Sequence, residues 1–401
     1  MNFKSIGVCI FENINAPEIA YVSIGGEESS KIFGINELPS DVLWVTNLPY
    51  KQYKSARVYN MSYIKQNQYF RTSTDIMLRE LGIENADLAT QSRILSDIFN
   101  RVNRLSNLYF GYNALEYGTD YRFANELRNF TYPDILKKNE NTEMYSLAYE
   151  ASKQATQSHQ AMAGVSAPRG STTYNFYFPR TEFVKYIMNL PLPIRNDWRE
   201  ITFKSGEIDM GTYEGKKIKG TEDVINKFIE MSKTRAVLFR VSVKYIDPKY
   251  RPFQTFSAGL KTTRSWASLP EVIELSRYSR ITISGGVSCE LGNLNVLDKC
   301  FDDIGIEYSY SRGILLENAF TSLSVGWGDM KENFLSAYLR SYDRILCSKA
   351  ALSFSENGFT VGSFGTGRIT VYLTRGEVET ANILARKIGL MTSIKKIKDD
   401  I

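Results

Sequence analysis

Phe334-Leu335-Ser336-Ala337-Tyr338-Leu339-Arg340-Ser341-Tyr342-Asp343 opens the stretch on which the fold reading turns. It reads as a helix. An extended run around Leu352 to Phe354 follows, then a glycine turn from Gly362 to Gly367 and a strand from Arg368 to Thr374. A second helix, Glu377 to Ile388, stops at Gly389-Leu390, where glycine suits a helix C-terminus. A last strand carrying Lys395, Lys396 and Lys398 completes the order helix, strand, strand, helix, strand.

The same order is expected once more upstream. A helix (Glu222 to Lys233) and a strand (Val237 to Ile246) lead, after a long excursion, to the strand Arg280 to Ser284. A helix from about Leu291 to Asp303, the pair Gly305-Ile306 and a strand through Tyr310 finish the unit. Arg280-Ile281-Thr282-Ile283 corresponds to Arg368-Ile369-Thr370-Val371, and Gly305-Ile306 to Gly389-Leu390.

This doubled pattern resembles the LAGLIDADG homing-endonuclease family over roughly residues 220–401. The resemblance implies a pair of αββαβ-type half-domains whose sheet faces grip a duplex, and a setting in a bacteriophage or mobile element. Strand alternation names the side chains that would do so. Ile369, Val371 and Leu373 oppose Arg368, Thr370, Tyr372 and Thr374; Phe239, Val241, Val243 and Tyr245 oppose Arg240, Ser242 and Lys244. Arg240, Lys244, Arg280, Arg368, Tyr372 and Lys395 are therefore the candidate DNA-binding residues, since strand-borne cations and hydroxyls reach phosphates and groove edges.

Cleavage is not expected. The family places an acid near the end of the first helix of each repeat to hold a divalent cation beside the scissile phosphate. Here Tyr342 fills that slot, Asp343 is displaced by one residue, about 100° around a helix, and the upstream unit offers Lys233-Thr234-Arg235. No catalytic residue, metal ligand set or cofactor site follows from the sequence. Gly362 to Gly367 lacks the Lys-Ser/Thr of a phosphate-binding loop and reads as a hairpin turn. The one histidine, His159, leaves no triad to assemble.

The remaining features set the frame. The chain has 401 residues, long enough for two or three domains, with 43% hydrophobic and 23% charged residues and a net charge of +5. That mild basicity permits a nucleic-acid partner without announcing one. Cys9, Cys289, Cys300 and Cys347 have no metal-ligand spacing and fit reduced thiols in a cytoplasmic compartment. No apolar run reaches the roughly 20 residues of a membrane span, and no secretory signal is read.

Residues 1–135 form an expected mixed α/β domain. Strands at Ile6 to Phe11, Ile19 to Ile24 and Val42 to Val45 precede a helix from about Asp87 to Leu108, whose Ile94, Leu95, Ile98, Val102 and Leu105 share a face. Opening on two strands, this domain is compatible with an RNase-H-like or exonuclease-like fold, though only Glu12 stands near such a fold's acidic pair. Residues 136–215 are read as a connecting region with a polar helix over Glu140 to Ala163 and an aromatic strand at Asn175 to Phe178, and residues 216–401 as the duplicated domain. The whole is α/β (α+β). The function expected is a non-catalytic DNA-binding accessory protein whose N-terminal half contacts another protein. The alternatives are a virion structural protein and an active endonuclease using Glu12 or Asp343.

Overall fold

The computed structural model describes residues 5–48, 61–63, 74–110, 147–148, 150–152, 160–161, 165–179, 182–183, 186, 189–193, 197–253, 265–292, 309–315, 334–365 and 367–392. The chain divides into two compact units, Met1–Leu127 with Leu297–Ser322, and Arg128–Val296 with Leu323–Ile401. Residues well beyond the middle of the chain thus return to the first unit.

The first unit is built on a five-stranded sheet of order β3-β2-β1-β4-β5, comprising β1 (Ser5–Phe11), β2 (Ala20–Ile24), β3 (Ser30–Ile32), β4 (Val42–Thr46) and β5 (Met61–Tyr63). The β1-β2-β3 strands are antiparallel, and β4 and β5 add in parallel. Six of the seven residues of β1 are buried, as a central strand covered on both faces requires. Trp44 lies against Gly7, where a Cβ would stand 2.4 Å from the indole ring, so only glycine fits there. Helix α1 (Thr74–Glu80) precedes the long α2 (Leu88–Phe110). The expected face of α2 is confirmed: Leu95, Ile98, Val102 and Leu105 are buried. Ser92 and Ser96 bring the helix close to the second hairpin turn, hydrogen-bonding Ser29 and the Gly26 N–H. Elsewhere on the helix, Arg101 is held by Asp97 at 2.8 Å. The residues around Tyr310 are helical over 309–315, not the expected strand, and the Tyr310 hydroxyl bonds the Glu80 carboxylate within this unit.

The second unit holds two sheets. One has the order β11-β10-β14-β12-β13, with two short strands also pairing with β14. Its members are β10 (Ile208–Tyr213), β11 (Lys216–Lys217), β12 (Arg235–Ile246), β13 (Trp266–Ser268) and β14 (Ser279–Gly292); the short additions are β8 (Leu192–Pro193) and β9 (Arg199–Ile201). Phe239, Val241, Ile281, Ile283 and Met210 turn inward to a core closed by α3 (Thr221–Met231) and α4 (Leu269–Leu275). The other sheet, of order β17-β7-β16-β15-β6, joins β6 (Gln160–Ala161), β7 (Thr172–Tyr177), β15 (Thr360–Gly365), β16 (Arg368–Leu373) and β17 (Met391–Thr392). Phe176, Val361, Phe364, Ile369, Val371 and Leu373 pack beneath α5 (Phe334–Glu356) and α6 (Val378–Lys387).

Helix α5 serves both sheets. Its Phe354 packs at a tilt against Phe176 of the second, ring centroids 4.7 Å apart. On the first, the Tyr338 hydroxyl accepts from the Val237 N–H and donates to the Val237 carbonyl, closing the open edge of β12 where β13 has ended. Six residues on, Arg344 forms a two-pronged ion pair with Glu271 of α4 at 3.0 Å, both side chains buried, with Ser341 bridging them.

Several expectations are corrected here. The run Leu352 to Phe354 is not extended: α5 continues through it because Asp343, Cys347, Ala350, Ala351 and Phe354 stay buried at helical spacing. The expected helix from Leu291 begins as strand, since β14 runs to Gly292; the remainder of that helix and Gly305-Ile306 lie outside the described residues. Gly285-Gly286, a glycine pair that by sequence alone signals a turn, sits instead inside β14 at an irregularity in its pairing with β12. A Cβ on Gly286 would lie 2.5 Å from the Leu238 carbonyl. Within the polar stretch Glu140 to Ala163, residues 160–161 are strand rather than helix. The boundary placed near residue 216 falls in the middle of a sheet, because β9 and β10 pair with β14. In both units an antiparallel strand pair, β12–β14 upstream and β15–β16 downstream, takes an earlier strand on the far side of its second member, β10 beside β14 and β7 beside β16.

Candidate nucleic-acid interface

The solvent face of β10, β14 and β12 gathers three of the six candidate residues. Cross-strand partners share a face, so the register defines the rows. Asp209, Thr282 and Ser242 form one row, and Gly211, Arg280 and Tyr245 the next. Tyr245 is here for a reason that alternation alone misses. The pairing slips between Val243 and Tyr245, leaving Lys244 as an extra residue and turning Tyr245 away from the core to lie opposite Arg280.

At the edge of the face, Tyr213 and Lys216 pair directly across the tight turn Glu214-Gly215, whose φ values of 47° and 75° are those of a type I′ hairpin. The Tyr213 ring is exposed and its centroid lies 4.7 Å from that of Tyr245. Burial beside Asp247 and Glu214 raises the pKa of the Tyr245 hydroxyl, which therefore stays neutral at physiological pH. Arg240 is exposed, with its guanidinium 5.3 Å from the ring centre of the buried Trp266, so its stem covers apolar surface while its edge meets solvent.

The cations are not equivalent. Arg280 is clasped by Asp209 through three hydrogen bonds, the shortest 2.6 Å, which raises the guanidinium pKa. Arg240, Lys216 and Lys244 have no carboxylate partner among the described residues. Lys217 belongs to the opposite side, where it pairs with Glu222 at the start of α3. Four cations on or beside the face (Arg240, Lys216, Lys244, Arg280) meet three carboxylates (Asp209, Glu214, Asp247), so its charge is only weakly positive.

Arg368 and Tyr372 lie on the other sheet of this unit. They share a polar face with Thr173, Asn175 and Tyr177 of β7, and the Thr370 hydroxyl donates to Asn175 Oδ1 at 2.9 Å. Arg368 is exposed. The Tyr372 ring lies across Gly362, the extra residue where β15 slips against β16; a Cβ there would come within 2.8 Å of the ring. Gly362 is thus a bulge inside the strand, and the hairpin turn follows it. Lys395, with His159 and Cys300, lies outside the described residues.

The carboxylates considered for cleavage are occupied otherwise. Asp343 is buried and its Oδ1 accepts the Gly367 N–H at 2.6 Å, tying α5 to the β15–β16 hairpin. Tyr342, in the family's acidic slot, packs against Tyr186 and Tyr338, and burial pushes its hydroxyl pKa up. Glu12, at the end of β1, is exposed beside Lys31 at 3.9 Å. Among the described residues no group of three or more His, Cys, Asp or Glu is placed to hold a metal ion. No described helix is long and apolar enough to cross a membrane.

No family model and no curated protein matches the chain. Among solved structures it is similar to Phi29 DNA polymerase. The matches include the polymerase complexed with primer-template DNA (TM-score 0.42, 9% identity) and complexed with single-stranded DNA (TM-score 0.43, 10% identity); each covers 92% of this chain and 80% of that one. An orthorhombic crystal form of the same polymerase matches at a TM-score of 0.40 and 9% identity.

Proposed function

We propose that the chain is a non-catalytic DNA-binding protein, acting as an accessory subunit in transcription or replication of a bacteriophage or mobile element. The observation that carries this reading is the solvent face of β10, β14 and β12. There, three unpaired cations, the hydroxyls of Ser242 and Tyr213 and two tyrosine rings stand on rigid strands over a closed core. Cations meet phosphates and release their counterions, and strand-borne hydroxyls fix register on the sugar-phosphate chain. The burial of Asp343 under Gly367 and the pairing of Asp209 with Arg280 support binding without cleavage. Arg368 supplies a further cation on the neighbouring sheet.

The test is a titration of the full chain against labelled DNA over a range of salt. Binding that weakens as salt rises, with supercoiled DNA left uncut in magnesium or manganese, supports the reading. Absence of binding at low salt overturns the DNA-binding part, and magnesium-dependent nicking that is lost in Asp343→Asn or Glu12→Gln overturns the non-catalytic part.

A further inference from the structure

Resting on that reading, we infer that Tyr213 and Tyr245 form a stacking platform that selects single-stranded nucleic acid over duplex. Three observations converge. First, Tyr213 is exposed and Tyr245 half-buried beside it on an otherwise polar sheet, although a tyrosine in a strand ordinarily packs inward; the slip at Lys244 is what brings Tyr245 out. Second, the two rings are inclined at 57°, so Tyr213 leaves a face open to solvent instead of closing it against its neighbour. A flat base can cover that face only when it is free of its own stack, which excludes the interior bases of a duplex. Third, the cations flank the rings. Lys216 is opposite Tyr213 in the hairpin and Lys244 adjoins Tyr245 in the strand, so a base on the platform has a cation on each side for its flanking phosphates.

The weak net charge of the face points the same way. With three carboxylates among four cations, phosphate attraction alone provides little affinity, and base stacking has to provide the rest. The hairpin lowers the ordering cost, because the type I′ turn fixes the backbone at Tyr213 before any ligand arrives.

The experiment uses the full-length chain and fluorescence anisotropy with three probes: a thymidine oligomer of about twelve nucleotides, the same strand annealed to its complement, and an abasic oligomer of equal length. The wild type should bind the thymidine strand more tightly than either of the others. Tyr213→Ala with Tyr245→Ala should weaken the thymidine strand by roughly tenfold or more while leaving the duplex unchanged. Tyr213→Phe with Tyr245→Phe should retain most of the affinity, which also guards against a variant that merely misfolds. Equal wild-type affinity for the thymidine and abasic strands, or an alanine variant that binds the thymidine strand as the wild type does, overturns the platform while DNA binding stands. No binding to any probe removes both.

Discussion

Asp209→Asn should make the protein bind DNA more tightly. In the wild type, Arg280 is held by three hydrogen bonds to Asp209, and that carboxylate offsets its charge toward a phosphate. The amide keeps the size of the side chain but removes the charge, so Arg280 becomes a fourth available cation beside Arg240, Lys216 and Lys244. On a single strand each cation that meets a phosphate adds about 0.7 to the magnitude of the slope of log K against log salt. The slope for this face should therefore move from about −2.1 to about −2.8. Extrapolated from a 1 M reference, that single contact is worth about eightfold in affinity at 0.05 M salt and about fourfold at 0.15 M. Arg280→Ala on the wild-type background should change little, and on the Asp209→Asn background should abolish the gain. Anisotropy titrations at four salt concentrations measure all of these. An unchanged slope in Asp209→Asn, or a gain that persists without Arg280, would refute the assignment of this face to phosphate contact.

Arg344→Met should destabilise the second unit by about 3–5 kcal/mol in urea unfolding, since Glu271 would be left buried and charged. Replacing Glu271 and Arg344 together by leucine and methionine should recover much of that loss. Tyr338→Phe should cost about 2–4 kcal/mol by the same assay, because the Val237 N–H and carbonyl both lose their buried partner. Glu377 accepts hydrogen bonds from the Thr374 N–H and hydroxyl, which hold its carboxyl below the usual range. Its stabilising contribution is thus complete above the unfolded-state value of about 4.3 and is lost as pH falls through the lower folded value; in Glu377→Gln this part of the pH dependence of melting should disappear.

Helices whose apolar residues recur on one face were legible: α2, α3 and α6 lie close to where the spacing puts them. So were strands that alternate cleanly, such as β16, and the inward set Phe239, Val241 and Val243 of β12. The errors arose where one residue type serves two structures. Leu352 to Phe354 is apolar enough for a strand, and only the buried positions upstream mark it as the last turns of a helix. Gly285, Gly286 and Gly362 read as turns but sit inside strands, where a neighbouring backbone or ring leaves no room for a Cβ. The site was half legible for the same reason. Alternation finds Arg240 and Lys244, but assigns Tyr245 to the core, because the slip that reverses it depends on the partner strand. Tyr213 was missed altogether; the adjacent Glu214-Gly215 was its one local signal, a two-residue hairpin turn between a tyrosine and a lysine. The clasp of Asp209 on Arg280 joins residues 71 apart and leaves no local trace.

Lys244 is the residue that the pairing leaves over, so this strand can lose one residue without exchanging its faces. Deleting the lysine would place Tyr245 directly after Val243 in strict alternation, still opposite Arg280, with Ile246 still toward the core. Descendants of this sequence can therefore shed that one codon and keep the outward tyrosine, losing only a cation from the surface.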